Sequence, residues 1–202
     1  MDKKWELIDR LCVYRGFFQV ERLRLRHGLF AGGQSRVLER ELVRHSHADG
    51  AVAVLPYDPV RDRVVLIEQF RTGAIESPSG PWLVEIVAGL VEPGEGPEQT
   101  ALRETREECG CTPRDLHHLY DYYSSPGGLK ERVSLYVAHV DAGAVRPLGG
   151  VGTEDEDIRV FTLSREAAFA RTGLIGSAQP IIALQWLQMN HRQLQARWAG
   201  GG

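Results

Sequence analysis

The run ALRETREECGC carries Glu104, Glu107 and Glu108, and their spacing would gather negative charge at one place on a helix. At about 100° per residue, Glu104 and Glu108 stack one turn apart and Glu107 stands beside them. Such a cluster is unfavourable by itself. Like charges at i, i+4 cost a few tenths of a kcal/mol. The acids also lie toward the helix C-terminus, where the macrodipole disfavours them. No lysine is nearby to neutralise Glu104 and Glu108. A hard divalent cation would remove the repulsion, since Mg²⁺ takes carboxylates and substrate phosphates as ligands. Arg103, one turn before Glu107, can pair with it and orient it. Taken alone, a glutamate-rich helix reads equally as a solvated acidic face.

The frame around the glutamates favours the metal reading. Gly89, Glu95, Arg103-Glu104, Glu107-Glu108 and Gly110 recur at fixed spacing in GLVEPGEGPEQTALRETREECGC. Gly96-Pro97 is a helix start, because glycine is tolerated at the N-cap and proline suits the first helical position. Gly110 is a natural stop. The predicted helix runs from Pro97 to Cys109, with Ala101, Leu102, Thr105 and Cys109 as a weakly apolar stripe. Other residues could act beside it. Arg71, in EQFR, stands at a strand end, where an arginine is more often a surface ion-pair partner. The segment GVGTEDED (150–157) has the composition of a mobile loop that closes on substrate, and a carboxylate there that is free of metal could take a proton from water.

Whole-chain properties narrow the function classes. A chain of 202 residues with 43% hydrophobic and 25% charged content reads as one soluble core domain with an accessory element. A net charge of −3 gives no sign of a nucleic-acid surface. No apolar run approaches the ~20 residues of a membrane span, and MDKKWELIDR lacks the apolar centre of a secretory signal. Cys12, Cys109 and Cys111 read as reduced thiols of a cytoplasmic protein. The seven histidines, His45, His47, His117 and His118 among them, show no ligand spacing that the glutamate motif does not supersede. Trp82 and the YDYY aromatics read as core or interface.

These residues must be carried by a sheet with helices on its sides. Residues 11–45 read as strands with polar turns: Leu23 and Leu25 alternate with Arg22, Arg24 and Arg26, and Gly32-Gly33 is a turn. HSHADG (45–50) is a plausible boundary. AVAVLPYD and RVVLIEQFR form a strand pair joined by DPVRD, and WLVEIVAG is a strand leading into the glutamate helix. LHHLYDYYSS, ERVSLYVAHV and IRVFTLS are further strands. SREAAFARTGLI reads as a helix capped by Ser164, and IIALQWLQMNHRQLQARW as a longer one with Pro180 just before it. The order implies α/β/α layering.

The motif from Gly89 to Cys111 resembles the Nudix box, a pyrophosphohydrolase signature, with Thr105 and Cys111 standing where an aliphatic residue is usual. LPYDPVRDRVVLIEQFR, PWLVEIVAGLVEPGE, SSPGGLKERVSLYVAHVDA and EDEDIRVFTLSREAAF resemble the ADP-ribose pyrophosphatase branch of the Nudix family in its bacterial homodimeric form, over roughly residues 14–195. The resemblance implies an α/β Nudix fold, an α/β/α sandwich with a mixed sheet. A dimerisation sheet over residues 1–48 would precede a hydrolase domain over residues 49–197. It implies hydrolysis of ADP-ribose to AMP and ribose 5-phosphate with Mg²⁺, or Mn²⁺ in its place. Carried over by residue, the metal ligands are Glu104, Glu108 and the Ala88 carbonyl, with Glu107 in support. Arg71 binds phosphate, Glu131 lies near phosphates and metal, and Pro126 marks ADP-ribose preference. Glu154 and Glu156 belong to the mobile loop, with Glu154 favoured as base. The N-terminal sheet would sandwich adenine with Phe17 or Phe18 and with Arg40, from either subunit of a homodimer.

Two other readings keep the motif and change the outcome. The substrate could be another nucleoside diphosphate sugar of the GDP-mannose type, because the box sets the reaction and the flanks set the substrate. A catalytically silent module that binds ADP-ribose to regulate a partner is disfavoured, because every box carboxylate is present.

Overall fold

The computed structural model describes residues 3–152 and 156–199. They form two compact units, one holding the chain up to Gly50 with Tyr122–Val133, the other Ala51–Asp121 with the chain from Ser134 on. The first unit therefore takes in a segment far along the sequence from its sheet.

That sheet has three antiparallel strands in the order β1 (Trp5–Arg15), β2 (Phe18–His27), β3 (Leu38–His45). The first strand begins at Trp5, earlier than the expected residue 11. Register shifts between Leu7 and Asp9 and between Cys12 and Tyr14 break its alternation, so no clean period of two marks it in the sequence. In β2 the alternation is clear: Gln19, Glu21 and Leu23 are buried, whereas Phe18, Arg22 and Arg24 are exposed. Gly32 and Gly33, with φ of 93° and 79°, make the predicted turn. Residues 128–130 are laced to β3. The Val43 N–H donates to the Gly128 carbonyl at 2.7 Å and the Val43 carbonyl accepts from Lys130 N–H at 2.8 Å.

The second unit is built on an eight-stranded sheet in the order β10 (Leu148–Gly149), β11 (Ile158–Ser164), β5 (Arg63–Phe70), β4 (Ala51–Asp58), β9 (Arg132–His139), β8 (Asp115–Tyr123). The expected WLVEIVAG strand is two. Trp82–Glu85 (β6) pairs with β5, and Val87–Leu90 (β7) pairs with β4. The chain changes partner at the buried Ile86, so its unbroken apolar run conceals a crossing between neighbouring strands.

β4 is buried on both faces from Val52 to Asp58 because helices cover both. On one face Val52, Val54, Val65, Ile67, Ile158 and Val160 pack with Ala101, Cys109 and Cys111 from around α1 (Pro97–Cys109). Alternation places Ala53, Leu55 and Tyr57 on the other. There the Tyr57 hydroxyl accepts from Gln195 Nε2 at 2.9 Å, and its ring meets Trp198 of α3 (Ala178–Ala199). This is the expected α/β/α arrangement. The helix read over SREAAFARTGLI is shorter: α2 spans Arg165–Ala170, capped by Ser164 Oγ, and gives way to a 3-10 turn at Thr172–Leu174 around Gly173. Pro180 lies inside the first turn of α3 rather than before it, where its missing N–H would have no intrahelical partner anyway.

Candidate active site

The glutamate helix has the predicted bounds, Pro97–Cys109. Gly96 is its extended N-cap, and its N–H donates to Gln99 Oε1 at 2.9 Å. Gly110 ends it at φ 73°, with the Arg146 side chain packed over the glycine. The buried face differs from the predicted stripe, since it takes in Thr100 and Glu108 beside Ala101, Thr105 and Cys109. Glu108 is 1% exposed, which rules out a solvated acidic face.

Two strand residues define where the carboxylates sit. The Ala88 N–H donates to Glu108 Oε2 at 3.1 Å. Gly89 lies so close to Glu104 that a Cβ on it would stand 1.8 Å from Oε1. The glycine of the motif is therefore a cradle for a carboxylate. Burial, reinforced by Glu107 and Glu156, pushes Glu104 up to about 7 against the opposing Arg103. Burial likewise raises Glu108 well above the usual carboxylate range, with Glu104 and Glu156 adding repulsion and the Ala88 N–H and Arg71 opposing it. The pair is thus two acids held in a dry place where both cannot easily be charged.

Arg103 does more than the expected pairing with Glu107. Its Nη1 donates to Glu107 Oε2 at 2.9 Å and to Glu104 Oε1 at 2.8 Å. Nε and Nη2 each donate to Glu95 at 3.1 Å, and Thr100 Oγ1 donates to the same carboxylate at 2.8 Å. The absence of lysine therefore does not leave Glu104 without a cation. Hydrogen bonds from Arg103 and Thr100 hold Glu95 below the ordinary carboxylate range. The role of Glu95 in the motif is to anchor Arg103.

Among the described residues, no three carboxylate, imidazole or thiol groups stand preassembled as a metal-binding cluster. The donor chemistry nevertheless fits a hard divalent ion. Glu104 and Glu108 offer oxygen ligands at a backbone edge, and a cation there would offset the desolvation and mutual repulsion that disfavour their charged forms.

Arg71 stands just beyond β5, and its Nε donates to Glu85 Oε2 at 2.7 Å, a partner that the sequence did not single out. It is near enough to Glu108 to favour that group's charged form. Glu156 accepts from the Val151 N–H at 3.0 Å and bears electrostatically on Glu104 and Glu108. The strand preceding it is locked to α1, since a Cβ on Gly149 would stand 1.7 Å from the Glu108 carbonyl oxygen and the Gly150 N–H donates to the Glu107 carbonyl. Glu154, the favoured base, lies outside the described residues. Ala88, Glu104, Glu107, Glu108, Arg71 and Glu156 are thus all residues of the second unit.

Phe18, Arg40, Pro126 and Glu131 form a separate group in the first unit. Phe18 and Arg40 are exposed on β2 and β3, and Pro126 is exposed in a turn. Glu131 Oε2 lies 3.1 Å from Nε2 of the buried His45. No spacing rule pointed to this histidine, which is 86 residues away in sequence.

Known proteins extend the pattern beyond the site. The NUDIX domain family profile matches residues 47–184. An ADP-ribose pyrophosphatase of Haemophilus influenzae is 43% identical over 198 residues, covering 96% of this chain and 90% of its own. An ADP-ribose pyrophosphatase of Escherichia coli is 44% identical over 196 residues, 96% of this chain and 92% of its own. A GDP-mannose pyrophosphatase of Escherichia coli is 33% identical over 159 residues, 75% of this chain and 82% of its own. Similarity that runs through both units and a profile that spans the glutamate helix have one explanation, that the chain belongs to the Nudix family of hydrolases.

Proposed function

We propose that the protein hydrolyses ADP-ribose to AMP and ribose 5-phosphate with a divalent cation, Mg²⁺ or Mn²⁺, as a cytoplasmic homodimer. The observation that carries the reaction type is the Glu104–Glu108 pair, Glu108 buried and Glu104 partly so, seated on Ala88 and Gly89. Similarity to two ADP-ribose pyrophosphatases over 96% of the chain supports the substrate. The three cysteines are free thiols, which suits a reducing compartment, and among the described residues no helix is long and apolar enough to cross a membrane.

Glu104, Glu108 and the Ala88 carbonyl would hold the cation, with Glu107 in support through Arg103. Bound there, it supplies charge neutralisation for a pyrophosphate and polarises a phosphoryl oxygen. The chain's own groups do the rest. Arg71, fixed by Glu85, takes a phosphate oxygen. Glu154 accepts the proton of the attacking water as its oxygen bonds to phosphorus and the bridging P–O bond breaks. Glu156, already held by the Val151 N–H and repelling Glu104 and Glu108, is the less favoured base. Phe17 or Phe18, with Arg40, would stack on adenine, and Pro126 and Glu131 would serve as substrate-binding residues.

A substrate panel tests this. The expected kcat/KM for ADP-ribose is at least ~10-fold above ADP-glucose, GDP-mannose and NADH, about 1.4 kcal/mol of transition-state binding. Preference for GDP-mannose, the substrate named for the 33% identical relative, would keep the reaction and overturn the substrate.

A further inference from the structure

His45 ends β3 and is 8% exposed. Two phenylalanines hold its ring, Phe18 tilted at 4.8 Å between centroids and Phe17 edge-on at 5.6 Å. Ser46 ties the strand end to the β1–β2 turn, its N–H donating to the Phe17 carbonyl at 3.1 Å and its hydroxyl to the Gly16 carbonyl at 2.6 Å. On the far side, the Val43 ladder to Gly128 and Lys130 fixes the segment that leads into Glu131. Two immobilised backbones thus present one imidazole to one carboxylate.

The hydrogen-bonding capacity of the ring is committed to that contact. Nε2 meets Glu131 Oε2 at 3.1 Å, while Nδ1 is buried without a partner among the described residues. With Nε2–H as donor, Nδ1 is a bare acceptor, which costs less to bury unpaired than an N–H would. The Glu131 side chain keeps 19% of its surface exposed, so the histidine grips one oxygen and does not enclose the group. Tyr122 is a further titratable group that bears electrostatically on the carboxylate. Burial first and then Glu131 push its phenol up to about 12, so it remains a neutral hydroxyl beside the carboxylate.

We infer that His45 is a positioning residue for Glu131, a buried donor that fixes one carboxylate oxygen and leaves the other to the substrate site. This rests on the proposed role of Glu131 at that site. His45 acts through Glu131 and does not itself touch substrate.

A mutant cycle tests the assignment. His45→Ala is expected to lower kcat about 10-fold or more, as is usual when an outer partner of a site carboxylate is removed. His45→Gln, whose amide can still donate, should remain within about 3-fold of wild type. On a Glu131→Gln background, His45→Ala should change kcat less than about 2-fold, because its target is already altered. A loss that carries over in full, an undiminished kcat in His45→Ala, or a Gln variant as poor as Ala overturns the assignment. Urea midpoints of wild type, His45→Ala, Glu131→Gln and the double variant read the contact without turnover, and additive shifts also overturn it. The kinetic cycle uses whichever nucleoside diphosphate sugar the wild type hydrolyses, so failure on ADP-ribose strikes the substrate proposal and leaves this one testable.

Discussion

A carboxylate at the end of a helix normally points to water. Glu108 does the reverse, and its burial makes the cation reading testable. Glu108→Gln is expected to keep the fold and lose ~10²-fold or more in kcat, since charge stabilisation by a bound cation is worth several kcal/mol. EDTA should abolish turnover and Mg²⁺ restore it, and full activity in EDTA would rule out the cation. Glu104 adds a pH dependence. An acid whose folded pKa is raised binds more protons folded than unfolded, so its contribution to stability falls as pH rises from about 4.3 to its folded value of about 7. His117 and His139, whose values burial depresses, act in the opposite sense near neutrality. The comparison that isolates Glu104 is therefore metal-free wild type against Glu104→Gln. Wild type should lose melting temperature relative to the variant between pH 5 and pH 8, and Mg²⁺ should cancel that loss. A constant difference would show that Glu104 is not held protonated. For the base, Glu154→Gln should depress kcat more than Glu156→Gln while leaving KM within a few-fold, and the opposite order would reverse the assignment. At this scale the sequence was informative where residue types repeat at fixed spacing, as in Glu104 and Glu108. It was silent where partners are distant, as in His45 with Glu131 or Arg71 with Glu85, because no local pattern announces a contact closed by the fold.

Among the elements, the close approach of α1 to two strands matters most. Gly89 lies under the Glu104 carboxylate and Gly149 under the Glu108 carbonyl, and the two should fail differently when given a methyl group. In Gly89→Ala the obstacle is the far end of a flexible side chain, so the protein should fold with near-normal melting temperature while Glu104 is displaced and kcat falls ~10-fold or more. In Gly149→Ala the obstacle is helix backbone, so overpacking should cost on the order of 1–3 kcal/mol of stability, read by urea unfolding. Equal stability losses in the two variants would contradict this distinction. The helix itself was legible to the residue because Gly96-Pro97 and Gly110 punctuate it. β1 was not, because two register shifts scramble the alternation in WELIDRLCVYR. β6 and β7 merged into one expected strand because both are apolar and the change of partner at Ile86 leaves no polar mark.

Across the whole molecule, β1 presents Trp5, Leu7, Leu11 and Val13 to solvent. A three-stranded sheet with so much apolar surface invites a second copy. The proposed homodimer is expected to persist at micromolar concentration in sedimentation, and Trp5→Glu with Leu11→Glu should yield monomers of reduced activity. A fully active wild-type monomer would contradict the proposal. The sequence could not show that residues 122–133 fold with this sheet, since the segment lies far along the chain and its ends read as parts of the strands LHHLYDYYSS and ERVSLYVAHV.

The three thiols divide into one that faces solvent and two that do not: Cys12 is exposed in β1, while Cys109 and Cys111 are buried. The native protein thus carries a single addressable handle, and it lies on the strand whose fate in assembly is at issue. A maleimide fluorophore should attach once per chain without unfolding the protein. Its reaction rate should slow as protein concentration rises, if assembly covers β1. Mixing donor-labelled and acceptor-labelled batches would then follow subunit exchange in real time, so the chain comes with its own tracer for the lifetime of the pair.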